Sequence, residues 1–194
     1  MTAATPKGER RRQALVEAAS ELLVEGGFDA VRHRAVAERA GLPLASTTYY
    51  FDSLDELITA AVEFHGRAEL ASCRQRLATI SGQLSDDDVL VELVLDLLVG
   101  QDVTDTETML LRYERLVATG RRPYLRPLMR VLSTELHELI ADIFARSGRD
   151  VAADRIEELI ALVDGAMVNA FIELKPDPRA VAARMLRSAL LRQA

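Results

Sequence analysis

The chain has 194 residues, 49% of them apolar, with a net charge of −6 and one cysteine, Cys73. A core of that size needs no metal, cofactor or disulfide to hold it, and a single cysteine excludes an intrachain disulfide and fits a reducing cytoplasm. No apolar run is long enough to span a bilayer, and none follows the basic residues near the N-terminus, so neither a membrane span nor a signal peptide is expected. Alanine, leucine, glutamate and arginine dominate while glycine and proline are scarce, which favours helices throughout.

Residues 1–8 (MTAATPKG) read as disordered. Arg10, Arg11 and Arg12 then open a first helix. Positive charge opposes the dipole at a helix start. An external phosphate is the preferred reason for three arginines there, and a solvated helix start is the alternative. Leu15, Ala18, Ala19, Leu22 and Leu23 recur with helical spacing and face a core. Gly26 or Gly27 ends the helix in a left-handed cap, and Phe28 and Val31 fold back onto the same core.

From Val31 to Leu57 the chain reads VRHRAVAERAGLPLASTTYYFDSLDEL. Ala35, Val36 and Ala40 give a short helix one apolar face. Gly41 supplies a turn at no steric cost, Leu42 is a buried plug, and Pro43 stands where a second helix begins. That second helix, residues 44–50, carries Ser46, Thr47, Thr48, Tyr49 and Tyr50 in a row, and Phe51 anchors its end. The pattern is a helix-turn-helix, and its second helix has the side chains of one that lies in a DNA major groove. Small residues let the backbone approach base edges. Ser and Thr hydroxyls donate or accept there, and the methyls of Leu44 and Ala45 suit a thymine methyl. Tyr49 and Tyr50 can bond phosphates, which fixes register without reading sequence. The plain alternative is a helical corner of some other all-α domain. Arg32 and His33 precede the first short helix; Arg32 cannot cap it but can reach a phosphate, as can His33, and Arg34 can reach a guanine edge or a phosphate. Residues 1–50 hold seven basic and six acidic side chains, so the acidity lies in the remainder. An acidic body would repel DNA and orient the approach.

Ser53 with Glu56 makes a capping box. Leu57, Ile58, Ala61, Val62 and Phe64 follow, and no breaker interrupts residues 54–79, so one long helix is expected there. Five more helices follow by punctuation. The first is capped by Ser85-Asp86-Asp87-Asp88, and its body VLVELVLDLLV is apolar almost all round. Thr104 with Glu107 caps the next, which runs through Met109, Leu110, Leu111, Tyr113 and Leu116 to Gly120. Pro123 or Pro127 starts a helix ending near Gly148. Residues 151–174 and 178–192 form the last two, the latter capped by Asp177 before Pro178. Ile156, Leu159, Ile160, Val163, Met167, Ala170 and Phe171 line one of them; Ala182, Met185, Leu186, Ala189 and Leu190 line the other. Ordinary core packing explains both stripes equally well.

Several blocks together resemble the TetR family of transcriptional regulators. They are the long first helix ending in Gly26-Gly27-Phe28, AVAERAGLP at 35–43, TTYYF at 47–51 and the S-x-x-E start at Ser53–Glu56. The resemblance covers about the first third of the chain and implies an all-α fold of about nine helices. It also implies a three-helix DNA-binding domain, residues 1–53, and a helical effector-binding and dimerisation domain, residues 54–194. The last two helices would build a four-helix bundle with a second copy, and a homodimer would read a palindromic operator. Three departures stand out: Arg32 where the family commonly has a capping Thr, Thr48 where a Tyr is frequent, and Leu54 in place of a Lys that grips the DNA backbone. The missing lysine should weaken phosphate binding and flatten its salt dependence.

A TetR-like second domain usually keeps an apolar cavity with a few polar groups. Met109, Arg112, Tyr113, Leu116, His137 and Asn169 are the candidates to line it, each with a core or surface role as its alternative. With few aromatics in this half, a small apolar or acyl-type effector suits better than a large flat polycyclic one. Catalysis is not expected: His33, His65 and His137 lack a glutamate three residues earlier, and no glycine-rich phosphate loop or metal-ligand cysteine cluster is present. The chain therefore reads as a ligand-responsive DNA-binding repressor, released from its operator by a small molecule. The alternative is a helical protein-binding adaptor derived from such a regulator.

Overall fold

The computed structural model describes residues 6–79, 86–100 and 106–191. Among these it holds nine α-helices, one 3₁₀ turn and no strand. Ser85, Thr104 and Arg192, and the side chain of Glu107, lie outside what is described, so the caps expected at Ser85 and Thr104 lie outside it too. Packing divides the chain into two units: residues 1–67 with 114–129, and residues 68–113 with 130–194.

In the first unit, α1 (Pro6–Ala30) starts earlier than expected, because Pro6 is tolerated at a helix start. Lys7 and Gly8 are thus helical rather than disordered, and Arg10–Arg12 fall beyond the first turn, where the dipole's opposition has faded. The helix breaks at Gly26 and Gly27, and Gly27 takes φ +66. That break turns Phe28 and Val31 back onto Leu15, Ala18, Ala19 and Leu23. The two short helices are α2 (His33–Arg39) and α3 (Ala45–Tyr50). Gly41, with φ +63, turns the chain between them. Val36 is fully buried and Leu42, expected as a buried plug, is only half-buried against the same core.

Then comes α4 (Leu54–Thr79), unbroken as the sequence predicts. Ser53 Oγ accepts from the Glu56 amide at 3.1 Å. The Glu56 carboxylate accepts from the Asp52 amide at 2.7 Å, one residue before the usual reciprocal partner. The unit is completed by the end of α6 (Thr106–Thr119) and a 3₁₀ turn at Pro123–Leu125. Leu125 is fully buried in this core, and the Arg122 guanidinium lies 3.7 Å from the centre of the Phe28 ring.

The second unit gathers α5 (Asp87–Val99), α7 (Arg126–Arg146) from residue 130 on, α8 (Ala153–Ile172) and α9 (Pro178–Leu191), with the later part of α4 and the start of α6. Asp86 caps α5 by accepting from the Asp88 amide at 2.8 Å. Eight of its side chains are buried, as an apolar run without a polar face requires. The Asp96 carboxylate accepts from Arg179 at 2.6 Å and also from Arg76, tying α5 to α9 and α4. Expected to reach Leu174, α8 stops at Ile172, because Leu174 takes φ +53 and its amide turns back to the Phe171 carbonyl. Asp177 then caps α9, accepting from the Ala180 amide at 2.8 Å.

Candidate nucleic-acid interface

The geometry of α3 follows from what holds its inner face. Thr47 is 0% exposed and Phe51 is buried beside it. The Thr47 hydroxyl donates to the Leu44 carbonyl at 2.8 Å. With that edge fixed, helical spacing turns Leu44, Ala45, Thr48 and Tyr49 outward together. Leu44, Ala45 and Thr48 are exposed, and Tyr49 is 80% exposed. Ser46 sits at the margin, half-buried. Tyr50 is also half-buried, packed on the core, with the Tyr49 ring edge-on to it at 4.9 Å.

This corrects the expectation for Thr47. A hydroxyl that is sealed from solvent and already bonded to the main chain cannot reach a base edge. Apolar burial of its methyl and satisfaction of its hydroxyl by Leu44 explain why a Thr is accommodated inside.

The basic residues separate into two groups. Arg10, Arg11, Arg32 and Arg34 are exposed. Arg34 pairs with Glu38 at 3.4 Å, but both are largely solvated, so the pair is weak and the guanidinium is free to exchange partners. Arg32 occupies the cap position of α2 without making a cap bond; its Nε donates to the Asp29 carbonyl at 3.0 Å. His33 supplies no cap either, and its Nδ1 is buried without a hydrogen-bond partner. Arg12 is half-buried, its guanidinium 5.0 Å from the centre of the Phe51 ring. Arg39 belongs to the protein's own frame: it donates to Glu25 at 2.7 and 2.9 Å and to Glu21 at 3.1 Å, joining α2 to α1. The hydrogen bond from Arg39 holds the Glu25 carboxyl below the usual range.

Of the effector-site candidates, three lie together in the second unit. Met109, Arg112 and Tyr113 are all buried at the start of α6. His137 is half-buried and its Nδ1 is 2.6 Å from the Ser133 carbonyl, a local contact within α7. The other two do not fit: Leu116 is exposed and falls in the first unit, and Asn169 is exposed on α8. Sequence reasoning missed Asp164, whose Oδ1 accepts from the Tyr113 hydroxyl at 3.0 Å. Its signal was available: one carboxylate in the apolar run ALVDGAMV.

The stripes expected to face a second copy are mostly internal. Ile156, Leu159, Val163, Met167, Ala170, Ala182, Leu186, Ala189 and Leu190 are buried within one chain, because α8 and α9 pack on each other and on α5. Outward on the later part of α8 are Ala161, Gly165, Val168, Asn169 and Ile172, and the apolar residues outward on α9 are chiefly Met185 and Leu191.

An all-helical protein with an outward hydroxyl-bearing helix in a helix-turn-helix is of the DNA-binding class. Residues 15–61 match the model described as "Bacterial regulatory proteins, tetR family", and residues 85–192 match "Tetracyclin repressor-like, C-terminal domain". The chain belongs to the TetR family of bacterial transcriptional regulators. Members of the family bind DNA operators and small-molecule effectors and dimerise. The nicotine-responsive transcriptional repressor HdnoR of Paenarthrobacter nicotinovorans is 27% identical over 175 residues, covering 87% of each chain. The transcriptional repressor KstR of Rhodococcus jostii (strain RHA1) is 28% identical, covering 81% of this chain and 84% of its own. The crystal structure of the multidrug binding protein EbrR complexed with proflavin is 29% identical with a TM-score of 0.63, covering 91% of this chain and 97% of that one. None of these relatives supports the adaptor alternative. No described helix is long and apolar enough to cross a membrane.

Proposed function

We propose that the protein is a homodimer that represses by reading a palindromic operator and is released when an effector enters its second unit. Residues 1–53 would carry DNA recognition, and residues 54–194 effector binding and dimerisation. The single observation that carries this reading is the two-sided character of α3: Thr47 and Phe51 lock one side while Leu44, Ala45, Thr48 and Tyr49 stand out on the other. Such a helix offers methyls and a hydroxyl to base edges and a phenol to phosphate. Arg10, Arg11, Arg32 and Arg34 supply the phosphate contacts that the missing lysine at Leu54 does not.

Dimerisation would use the outward stripe of α8 and α9. Small residues there, Ala161 and Gly165, let helices approach closely, and a Cβ on Gly165 would meet nothing within 4 Å in one chain. Three helices, α4, α6 and α7, have residues in both units. The continuous α4 is one, and α6 carries buried Met109, Arg112 and Tyr113 at its start and Ala118 in the first unit's core near its end. We infer that an effector acts by displacing α4 and α6.

Selection of bound DNA from a random pool tests the reading. It should return a palindrome with half-sites one helical turn, or a multiple, apart. Enrichment of an asymmetric site, or of none, counts against it. Effector affinity should also fall in the presence of operator by the same factor that the effector weakens DNA.

A further inference from the structure

We infer that the effector is an organic cation, held between α6 and α8 by the Asp164 carboxylate and the rings of Tyr113 and Phe171. The inference rests on the effector reading above and adds to it the charge of the ligand.

The argument begins with an unbalanced charge. Asp164 is half-buried on α8 and, among the described residues, has no lysine, arginine or histidine within ion-pair distance. Its one partner is neutral: the Tyr113 hydroxyl takes Oδ1, and Oδ2 has no hydrogen-bond partner among the described residues. Even a half-buried carboxylate without a counter-charge is disfavoured relative to one in water. Burial pushes its carboxyl above the usual range, even against the Tyr113 hydrogen bond and the positive field of Arg112.

Arg112 does not restore the balance. It is buried one residue before Tyr113, but its guanidinium is committed elsewhere, to the Glu69 carboxylate and to the Leu98 carbonyl at 3.3 Å. Arginine and glutamate cancel, and the negative charge of Asp164 is left over.

The walls beside that charge suit a cation rather than a metal ion. The Tyr113 and Phe171 rings meet edge to face, with centroids 5.6 Å apart. Aromatic faces attract organic cations, most strongly where water is excluded. Met109 lies one turn before Tyr113 on α6, and Met167 lies between Asp164 and Phe171 on α8; both are buried. Thioethers adapt to irregular ligands. A metal ion would need several hard or nitrogen ligands, and no such group of three occurs among the described residues. An acyl or carboxylate effector would meet Asp164 as a like charge or as unrewarded burial. The apolar or acyl-type effector expected from the scarcity of aromatics gives way to a cationic one, because one of those few aromatics, Tyr113, bonds the half-buried acid and a second, Phe171, packs on Tyr113.

Fluorescence titration of the full-length protein tests this, with ethidium and proflavin as cationic probes and anilinonaphthalene sulfonate as an anionic one. The wild type should bind the cations. Asp164→Asn, which can still accept from Tyr113, should lose about tenfold or more of their affinity. Its binding of the anionic probe should hold or improve. Phe171→Ala, which removes one of the two rings, should weaken the cations several-fold and leave the anionic probe unchanged. Thermal melts confirm that each variant is folded. Equal cation affinity in wild type and Asp164→Asn overturns the inference, as does failure of either cation to bind the wild type. Release of the operator by an anionic or neutral compound alone overturns it too, while leaving the repressor reading standing.

Discussion

The Arg12 guanidinium lies 5.0 Å from the centre of the Phe51 ring, so α1 holds the residue that closes the recognition helix. A cation–π contact of this kind contributes about 0.5–1 kcal/mol where it is partly solvated. Arg12→Met should therefore lower both the melting temperature and DNA affinity. Arg10→Ala and Arg11→Ala should lower affinity alone, each flattening its dependence on log salt by about one unit. Melting curves and anisotropy titrations at several salt concentrations separate the two kinds of arginine.

Thr47 and Thr48 are adjacent hydroxyls with opposite duties. Thr47→Ala removes the bond to the Leu44 carbonyl and a buried methyl, and should cost about 1–2 kcal/mol of stability. Thr48→Ala should leave stability within about 0.5 kcal/mol and change which bases are preferred. Denaturant unfolding and a panel of operator variants give both readouts. A shift in base preference from Thr47→Ala at unchanged stability would contradict the buried assignment.

At the start of α2, Arg32 stands where a capping side chain could. Arg32→Thr should add a cap worth about 0.5–2 kcal/mol while removing a positive charge from the DNA-facing side. Stability should rise as affinity falls. If affinity is unchanged, Arg32 makes no phosphate contact.

Two carboxylates give opposite pH dependences. Burial raises the Asp164 carboxyl, so its protonated form is favoured on folding. Stability from this group is highest below the unfolded aspartate range, about pH 4, and is lost as pH rises through the raised folded value. Asp164→Asn should therefore raise the melting temperature at neutral pH, with the gain vanishing in acid. Glu25 behaves the other way: its hydrogen bond from Arg39 lowers its carboxyl, so its contribution is present above the unfolded glutamate range and is lost as pH falls through the lowered value. Melting temperature against pH for wild type, Asp164→Asn and Glu25→Gln resolves the signs.

Ala161 lies outward on α8, away from the core of its own chain. Ala161→Arg should leave helix content unchanged and convert a dimer to a monomer with lost operator binding. Sedimentation velocity decides this. A dimer that survives the change would move the interface elsewhere.

Local chemistry made most of the fold legible. Gly41 and Gly27 need positive φ, Ser53, Asp86 and Asp177 cap helices, and an apolar run such as Leu90–Val99 has nowhere to go but inside. The sides of the helices were harder to read. Both Thr47 and Thr48 are small and polar, and only the packing of Phe51 and Leu57 decides which one points in. The same limit applied to α8 and α9, where a periodic apolar stripe marks a buried face but does not say whether the cover is the same chain or another. Asp164 escaped notice because its meaning depends on Tyr113, 51 residues earlier. Arg39 escaped for the same reason: its partners Glu21 and Glu25 lie on another helix.

The uninterrupted length of α4 sets the sensitivity of any response that travels along it. Its 26 residues measure about 39 Å at 1.5 Å per residue. Swinging such a lever arm by ~5° carries its tip ~3 Å, beyond the narrow distance window of a phosphate hydrogen bond. On the proposed mechanism, a small tilt at one end would be enough to break such a contact at the other, with no segment having to melt.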